Sequence, residues 1–361
     1  VVEIKYFPSS ALSKEKAPQQ ELPSWVGALS YSQKSNTLVG GLYDGNVDVL
    51  DAHTLKATAR LPSCHQGPVR AALFLESSAG SFALTSGKDH AVKLHAQDGT
   101  VVKECIAHRN SAESLGQLAG SLSSSQAHLA FSGDWGGQIA AWDVQTAMTN
   151  HISTSSSSSS SSNSNSNKRK RNKNSDEWTP VFSVKAHTQA VSAIVAAPGY
   201  EHDRVLTASH DHTIKMWDVG RQDCIFTVVG QRVVTSMSAS PEGHTCATAH
   251  PDGVIRLWDM RVSTSGHGEE ASQSAIAQLG SLSAWTSSVA FHPTDGHKLA
   301  ACDYDGMLSL WDVRSSARAI DCVSVHDGKA LCLTWGQHNE GAGAMVFTGG
   351  SDCIVRATSL T

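Results

Sequence analysis

The chain has 361 residues, a formal net charge of −5 and only 17% charged residues. It contains no run of 18 apolar residues and opens on no secretory signal, so we do not expect membrane insertion. None of its eight cysteines forms a CxxC pair. We therefore expect reduced, buried thiols, with no disulfide framework, no metal site and no cofactor.

The first predicted element is a strand over residues 1–7, VVEIKYF, where apolar and polar side chains alternate. Seven turns follow it, most of them holding an aspartate with a Trp or a substitute six residues later. The turn positions are Asp44, Asp89, Gly136, Asp211, Asp252, Asp305 and Asp352. They lie 45, 47, 75, 41, 53 and 47 residues apart, and omitting the 28 low-complexity residues Asn150–Glu177 turns 75 into 47.

This spacing, with Trp-Asp endings in four copies, is typical of WD repeats, in which each repeat makes one four-stranded blade. The sequence predicts an all-β, seven-bladed WD40 β-propeller that forms a single domain over residues 1–361. The last repeat ends at ATSL and leaves no residues for its outer strand. We therefore expect the N-terminal strand VVEIKYF to pair there and close the ring, which removes the exposed sheet edges.

The fourth repeat contains a candidate hydrogen-bonded tetrad that ties one blade to the next. Its members are His187, Ser209, Asp211 and Trp217, with Thr207 as the alternative hydroxyl. A hydrolase triad is the competing interpretation, but the histidine–aspartate pairing recurs at His65 with Asp89 and at His326 with Asp352, whereas a triad is needed once. Blades one, five and six lack the histidine, and Gly230 and Leu282 stand near the expected places, so we expect less rigid joints there.

Catalytic motifs are absent from the sequence. There is no HExxH, no P-loop, no GxSxG and no GxGxxG after a strand. The sequence therefore predicts a scaffold, and an enzyme that uses the central channel is the least favoured class.

Two insertions follow Trp-Asp dipeptides and precede outer strands, so both are predicted to leave the lower face through loops between the third and fourth strands. Residues 150–177 hold eight serines in a row and a basic run, a composition typical of disorder, and residues 262–274 form a shorter loop. The basic run consists of Lys168, Arg169, Lys170, Arg171 and Lys173. It is a candidate nuclear-import signal, a contact for RNA phosphates, or a solvating tract, in that order.

Charge argues against general nucleic-acid binding by the rest of the chain. The basic run contributes +5, so the remaining residues sum to −10. Direct RNA contact would have to come from local patches or from that loop.

Large aromatic residues lie at the loops predicted for the upper face, where partner proteins commonly dock. The candidate partner-binding residues are Trp25, Tyr43, Trp135, Trp285 and Tyr304. Aromatic side chains on loops are typical of interface hot spots. The alternative, which is as strong for any single residue, is that the side chain covers the core beneath it.

The order of these motifs resembles a known family. VEIKYF, LPSWVGAL, GGLYDGNVDVLD, TASHDHTIKMWDV, VVTSMSASPEG, SLSAWTSSVAFHP and FTGGSDCIVR occur in the order found in the WD-repeat subunit of the PeBoW ribosome-assembly complex. That family is known as WDR-twelve in animals and Ytm-one in yeast. The resemblance covers essentially the whole chain, although Gly136 in the third turn and the serine-rich insertion depart from the pattern.

The resemblance implies a role in maturation of the large (60S) ribosomal subunit and in pre-rRNA processing, in the nucleolus and nucleoplasm. It implies binding to the propeller of a Bop-type partner and, through that partner, to Pescadillo on the pre-60S particle. Members of the family also carry an N-terminal ubiquitin-like domain that engages the AAA ATPase midasin. No such domain lies in these residues, and the chain starts at Val1, so we expect it to be the propeller part, which lacks the midasin contact.

A substrate receptor of a cullin-RING ubiquitin ligase is the alternative function. Trp258-Asp-Met-Arg261 and Trp311-Asp-Val-Arg314 are WDxR endings, a pattern found in such receptors. The same ending is common in ordinary WD repeats, where the arginine pairs with a nearby acid. The sequence therefore favours ribosome assembly over the ligase function.

Overall fold

A computed structural model describes residues 18–77, 80–96, 99–118, 129–157, 178–198, 203–261, 270–271, 275–282, 284–315, 318–337 and 343–360. These residues form seven β-sheets arranged as the blades of a ring, antiparallel apart from one short added strand, and the predicted all-β, seven-bladed propeller is confirmed. No helix among them is long and apolar enough to cross a membrane.

The strands follow one another from the channel outwards in each blade. Blade one holds β2 Val26–Ser32, β3 Thr37–Leu42, β4 Val47–Asp51 and β5 Ala57–Leu61; blade two holds β6 Val69–Ser77, β7 Gly80–Gly87, β8 Val92–Ala96 and β9 Val101–Cys105. Blade three holds β10 Ala112–Leu118, β11 Leu129–Asp134, β12 Gln138–Asp143 and β13 Phe182–Lys185, with helix α1 Val144–Ser157 between its last two strands. Blade four holds β14 Val191–Ala196, β15 Arg204–Ser209, β16 Thr213–Asp218 and β17 Asp223–Val229.

The remaining blades repeat the arrangement. Blade five holds β18 Ser236–Ala239, β19 Thr245–Ala249, β20 Val254–Asp259 and β22 Ala277–Ser281, and the short strand β21 Glu270–Ala271 precedes β22. Blade six holds β23 Thr286–Phe291, β24 Lys298–Asp303, β25 Met307–Asp312 and β26 Asp321–Ser324. Blade seven holds β27 Ala330–Gln337, β28 Ala344–Gly350, β29 Ile354–Ser359 and, as its outer strand, β1 Gln19–Glu21.

Ring closure by an N-terminal strand is confirmed, but the strand that closes the ring is β1. It pairs antiparallel with β29, with Gln19 opposite Arg356 and Glu21 opposite Ile354. The prediction placed residues 1–7 at this edge; they lie outside the described residues, and β1 occupies the place assigned to them. Only four residues separate β1 from β2, and Leu22 among them is buried between blades seven and one. That anchor fixes the edge strand, although the polar sequence QQE carries no alternation that predicts one.

Apolar clusters of the described residues fill the joints between neighbouring blades. Each Trp of a Trp-Asp ending packs toward the preceding blade: Trp142 with blade two, Trp217 with blade three, Trp258 with blade four and Trp311 with blade five. These indoles are almost completely buried. Burial of side chains this large contributes on the order of 2 kcal/mol each, so the repeated Trp holds the ring together as well as marking the repeat.

Helix α1 corrects the prediction that residues 150–177 are disordered from their first residue, because Asn150–Ser157 are helical. The helix begins after Asp143, whose carboxylate accepts hydrogen bonds from the Thr146 backbone N–H at 2.9 Å and the Thr146 hydroxyl at 2.7 Å. Val144 and Met148, one helical turn apart, pack into the cluster between blades two and three. Two apolar residues one turn apart do not distinguish a short helix from a loop, so the sequence did not predict this helix. The rest of the insertion, with the basic run Lys168–Lys173, lies outside the described residues.

Strand β21 corrects the second prediction, that residues 262–274 form only a loop. It pairs in parallel with β17, with Glu270 opposite Thr227 and Ala271 opposite Val228, and so gives blade four a fifth strand. Both insertions do connect the third and fourth strands of their blades, as predicted.

Candidate functional site

The tetrad of blade four is built around a threonine. The Nε2 atom of His187 lies 2.8 Å from the Thr207 hydroxyl oxygen, and the Trp217 indole N–H donates to the same oxygen over 3.0 Å. The Nδ1 atom of His187 lies 3.1 Å from an Asp211 carboxylate oxygen. A carboxylate only accepts, so Nδ1 carries the proton and Nε2 accepts from the Thr207 hydroxyl.

Ser209 is not the hydroxyl of this network, contrary to the prediction. Its hydroxyl donates to the Gln189 carbonyl at 3.2 Å and accepts the Asp211 backbone N–H at 3.1 Å, so it stabilises the turn. Alternate residues of a strand share a face, so Thr207 and Ser209 point the same way, but only Thr207 lies deep enough to meet Trp217.

The same network recurs in blades two and seven. His65 contacts Asp89 and Thr85, each at 2.8 Å, and His326 contacts Asp352 at 2.9 Å and Thr348 at 3.0 Å. In blade two the Trp is replaced by His95, whose Nε2 lies 3.0 Å from Thr85. Since the Thr85 proton goes to His65, His95 donates from Nε2. Its buried Nδ1 makes no hydrogen bond among the described residues.

Blade three has a tetrad that sequence reasoning missed. His108 Nε2 lies 2.7 Å from the Ser132 hydroxyl, to which the Trp142 indole N–H donates over 2.8 Å. The acid is Asp134, two residues before the expected turn position Gly136, with an oxygen 3.5 Å from His108 Nδ1. Asp134 also accepts the Gln138 backbone N–H at 2.8 Å, which is the usual work of the turn aspartate.

Blade five supplies its histidine from within the blade. His250 Nε2 lies 2.8 Å from the Thr248 hydroxyl, which also accepts the Trp258 indole N–H at 2.8 Å. The other ring nitrogen, Nδ1, lies 2.8 Å from the Val233 carbonyl oxygen. This histidine could have been found from the sequence, because His250 lies eight residues before Trp258, where the second strand ends, just as Asp134 lies eight residues before Trp142.

Burial sets the protonation of these groups. It lowers the pKa of His65 and of His326 despite their aspartate partners, and it lowers the pKa of His95 and of His250 to about 4. Burial works to raise the pKa of Asp211, but hydrogen bonds from His187, Thr213 and Thr188 outweigh it and hold that pKa well below the ordinary value. A neutral histidine beside a fixed carboxylate, repeated around the ring, is a structural link rather than a catalytic centre.

The predicted aromatic residues of the upper face form two pairs. The rings of Trp25 and Tyr43 on blade one lie 5.4 Å apart, and those of Trp285 and Tyr304 on blade six are stacked at 5.3 Å. In each pair the tyrosine backbone N–H donates to the tryptophan carbonyl at 3.0 Å. Trp25 is 47% exposed and Trp285 is 41% exposed. We call these four residues the aromatic surface.

A positively charged side chain lies over the ring of each tyrosine of the aromatic surface. The Arg70 guanidinium lies 5.6 Å from the Tyr43 ring centroid, and the Lys329 ammonium lies 4.5 Å from that of Tyr304. Burial raises the pKa of Tyr304, and the charge of Tyr43 adds to that rise.

Trp135 stands apart from the aromatic surface. It is 55% exposed and meets His210 of blade four edge to face, at 5.6 Å between ring centroids. Trp135, His210, Tyr43 and Arg70 line the mouth of a central channel of about 630 Å³.

The arginines of the two WDxR endings are bonded within their own strand ends. Arg261 Nε lies 2.9 Å from an Asp259 oxygen, and Arg314 Nε lies 2.9 Å from an Asp312 oxygen. This is the ordinary structural pairing of such an arginine, and it favours no ligase function.

Metal-ligating side chains do not gather in the described part of the chain: no group of three or more His, Cys, Asp or Glu residues there is able to hold an ion. The eight cysteines are all free. Burial raises the pKa of Cys64 to about 11 and that of Cys302 to about 12, so both thiols stay protonated and unreactive.

Comparison with known proteins agrees with the geometry. The family described as "WD domain, G-beta repeat" matches residues 178–218, 222–259 and 276–312. Each matched segment holds the outer strand of one blade and the three inner strands of the next, from blade three to blade six. Three of the seven repeats therefore match the WD-repeat family model.

Similarity to curated proteins extends along almost the whole chain. It is 26% identical to the "Ribosome biogenesis protein WDR12 homolog" of Nematostella vectensis, covering 98% of this chain and 79% of that protein. The proteins of the same name from Chlamydomonas reinhardtii and Arabidopsis thaliana are 26% and 25% identical, over 98% and 99% of this chain and 80% and 78% of their own lengths. The resemblance drawn from the order of the sequence motifs is confirmed.

Proposed function

We propose that this chain, a WD-repeat propeller similar to ribosome biogenesis proteins of the WDR12 type, is a non-enzymatic scaffold in ribosome biogenesis. Within that process we assign it to maturation of the 60S subunit and pre-rRNA processing. There it binds the propeller of a Bop-type partner and, through it, Pescadillo on the pre-60S particle. The observation that carries the proposal is the aromatic surface, formed by Trp25, Tyr43, Trp285 and Tyr304.

The aromatic surface has the properties of an interface hot spot. Two half-exposed indoles present large apolar area, and each is braced by a tyrosine held through a backbone hydrogen bond and a cation. Bracing reduces the side-chain entropy lost on binding, so more of the burial energy appears as affinity. Trp135, at the channel mouth, is the outlying member of the same upper face.

The charges around the aromatic surface favour a protein over RNA as its binding partner. Aromatic rings also stack on nucleobases, but nucleic-acid sites pair such rings with a basic groove. Here the cations Arg70 and Lys329 over the tyrosine rings are offset by exposed carboxylates, Asp44 and Asp305, directly after Tyr43 and Tyr304, so the surface is not a basic groove. These carboxylates repel phosphates beside the tyrosine rings, so we assign any direct RNA contact to the basic run Lys168–Lys173.

We place the protein in the nucleus, in the nucleolus and nucleoplasm, with Lys168–Lys173 as its import signal. Replacing the five basic residues of that run with glutamine is expected to leave a fluorescently tagged chain in the cytoplasm. Nuclear accumulation of the glutamine variant equal to that of the unchanged chain would show that import uses another signal.

The proposed function is tested by affinity purification of the tagged chain from cells, followed by mass spectrometry. We expect Bop-type and Pescadillo proteins among the recovered partners. The variant Arg261→Ala/Arg314→Ala serves as the control and should recover the same set. Recovery of a cullin adaptor without ribosome-assembly factors, lost in the arginine variant, would replace the proposal with the ligase function.

A further inference from the structure

Hydroxyl groups of the innermost strands link neighbouring blades. The Ser114 hydroxyl of blade three donates to the Val191 carbonyl of blade four at 2.8 Å, and the Ser287 hydroxyl of blade six donates to the Ala330 carbonyl of blade seven at 2.6 Å. Between blades five and six, the Thr235 hydroxyl donates to the Thr286 carbonyl at 2.8 Å. These bonds form an inner ring of links around the channel.

Two more joints are linked by a variation of the same contact. At the joint of blades one and two, the Phe74 backbone N–H donates to the Ser30 hydroxyl at 3.0 Å. At the joint of blades seven and one, the Cys332 thiol lies 3.5 Å from the Val26 carbonyl oxygen.

The joint between blades two and three replaces the hydroxyl with an ion pair. The Arg70 Nε atom lies 3.5 Å from a Glu113 carboxylate oxygen, and both residues sit at the start of an innermost strand. Six of the seven joints therefore have a polar side-chain link on the channel side.

The joint between blades four and five is the exception. Among the described residues of β14 and β18, no side-chain hydrogen bond joins the two strands, because the Ser192 hydroxyl donates within blade four, to Ala208. Ala193 stands where blade three has Ser114, two residues after the first residue of the innermost strand, and has no hydroxyl to offer. The connecting segment also has Gly230 near the place of the tetrad histidine. What remains is apolar packing and one long backbone hydrogen bond, from the Val234 N–H of blade five to the Ser209 carbonyl of blade four at 3.4 Å.

This joint is also where β21 lies. The strand leaves the third strand of blade five, pairs with Thr227 and Val228 on the outer edge of blade four, and returns to blade five as β22. Backbone pairing thus joins blades four and five from the outside, at the joint that lacks a side-chain link between the innermost strands β14 and β18.

We propose that the joint between blades four and five is the place where the ring opens first, and that β21 is a strap that holds it shut. Chain segments with few hydrogen-bonded links open at lower free energy than the rest of a domain. The backbone pairing of β21 with β17 at the outer edge replaces the side-chain link that the channel side lacks. Release of β21 is therefore expected to expose β17 and β18 without unfolding the other blades.

Hydrogen–deuterium exchange of the full chain tests the strap. The variant Glu270→Pro/Ala271→Pro removes both backbone donors of β21, and Glu270→Ser/Ala271→Ser is the matched control that keeps them. In the proline variant, exchange is expected to rise at least tenfold in β17 and β18 relative to the serine variant. Exchange in β23 and β27, linked by Ser287, should stay the same.

A third variant restores the missing link. Ala193→Ser, added to the proline variant, places a hydroxyl where it can reach the Val234 carbonyl as Ser114 reaches Val191, and is expected to bring exchange in β18 back toward that of the serine control. Equal exchange in the proline and serine variants, a rise spread over all seven blades, or no recovery with Ala193→Ser would each overturn the proposal.

Discussion

His95 donates a hydrogen bond to Thr85 over 3.0 Å and so stands in for the Trp of a Trp-Asp ending. An indole N–H makes this bond in blades three, four and five, and it has no second nitrogen to bury. His95 hides an Nδ1 atom that has no partner among the described residues, which makes blade two sensitive to protonation.

The first prediction concerns acid stability. Burial lowers the pKa of His95 to about 4 from the ordinary value of about 6.5, so the unfolded chain binds more protons between these values. The contribution of neutral His95 to the free energy of unfolding should therefore be fully present above pH 6.5. It should fall as the pH drops toward 4, by up to about 3 kcal/mol. Urea denaturation at pH 7, 5.5 and 4.5 measures this loss.

The matched variant for that experiment is His95→Gln, which keeps a donor for Thr85 and has no proton to gain in this range. Its stability is expected to be lower at pH 7 but to change less between pH 7 and 4.5. Parallel pH curves for the variant and the unchanged chain would show that His95 does not cause the acid sensitivity. His250, with its pKa also lowered to about 4, and His65 and His326, whose pKa values burial lowers, add to the pH dependence of both chains.

The second prediction separates the two hydroxyls of blade four. Thr207→Val removes the partner of both His187 and Trp217 and is expected to cost about 2 to 4 kcal/mol, because two buried groups lose their hydrogen bonds. Ser209→Ala removes turn contacts alone and should cost about 1 kcal/mol. Chemical denaturation of the two variants decides between them, and a larger loss for Ser209→Ala would return Ser209 to the tetrad.

The third prediction concerns the displaced acid of blade three. Asp134→Ala leaves the Gln138 backbone N–H without its acceptor and removes the carboxylate 3.5 Å from the buried Nδ1 of His108, so a loss of about 1 to 3 kcal/mol in unfolding free energy is expected. Asp223→Ala, which removes an exposed aspartate at the start of β17, is the control and should change stability by less than about 0.5 kcal/mol. Equal stabilities of the two variants would mean that Asp134 does not do the work of a turn aspartate.

The fourth prediction concerns ring closure. A chain that begins at Leu22 lacks β1 and leaves the edge of β29 unpaired, so it should melt at a lower temperature and aggregate. A chain that begins at Pro8 keeps β1 and should melt as the unchanged chain does. A large loss of thermal stability in the chain that begins at Pro8 would return the closing role to residues 1–7.

The repeat was readable from the sequence because its signals are local. A turn aspartate and a Trp six residues later, as at Asp211 and Trp217, lie within one hairpin, so spacing alone fixes blade number and strand order. The aromatic residues at the loops were also identifiable, but their pairing was not, since Trp25 and Tyr43 meet only after two loops of blade one come together.

The misses share a physical cause, which is that the decisive contact is made with another part of the fold. Strand β1 is extended because β29 offers an edge, and β21 is extended because β17 does, although neither segment alternates apolar and polar residues. Asp134 replaces the acid expected at Gly136 because a strand-end side chain reaches the same histidine from two residues earlier.

Calorimetric titration of the purified chain with the purified propeller of a Bop-type partner tests whether the aromatic surface is the interface. The unchanged chain should bind, and Trp25→Ala/Trp285→Ala should weaken binding at least a hundredfold, about 2.7 kcal/mol, as expected when two hot-spot indoles are lost. Val181→Ala/Ile276→Ala removes two other exposed apolar side chains and should bind as the unchanged chain does. Undiminished binding by the tryptophan variant would contradict the proposed interface and place it away from the aromatic surface.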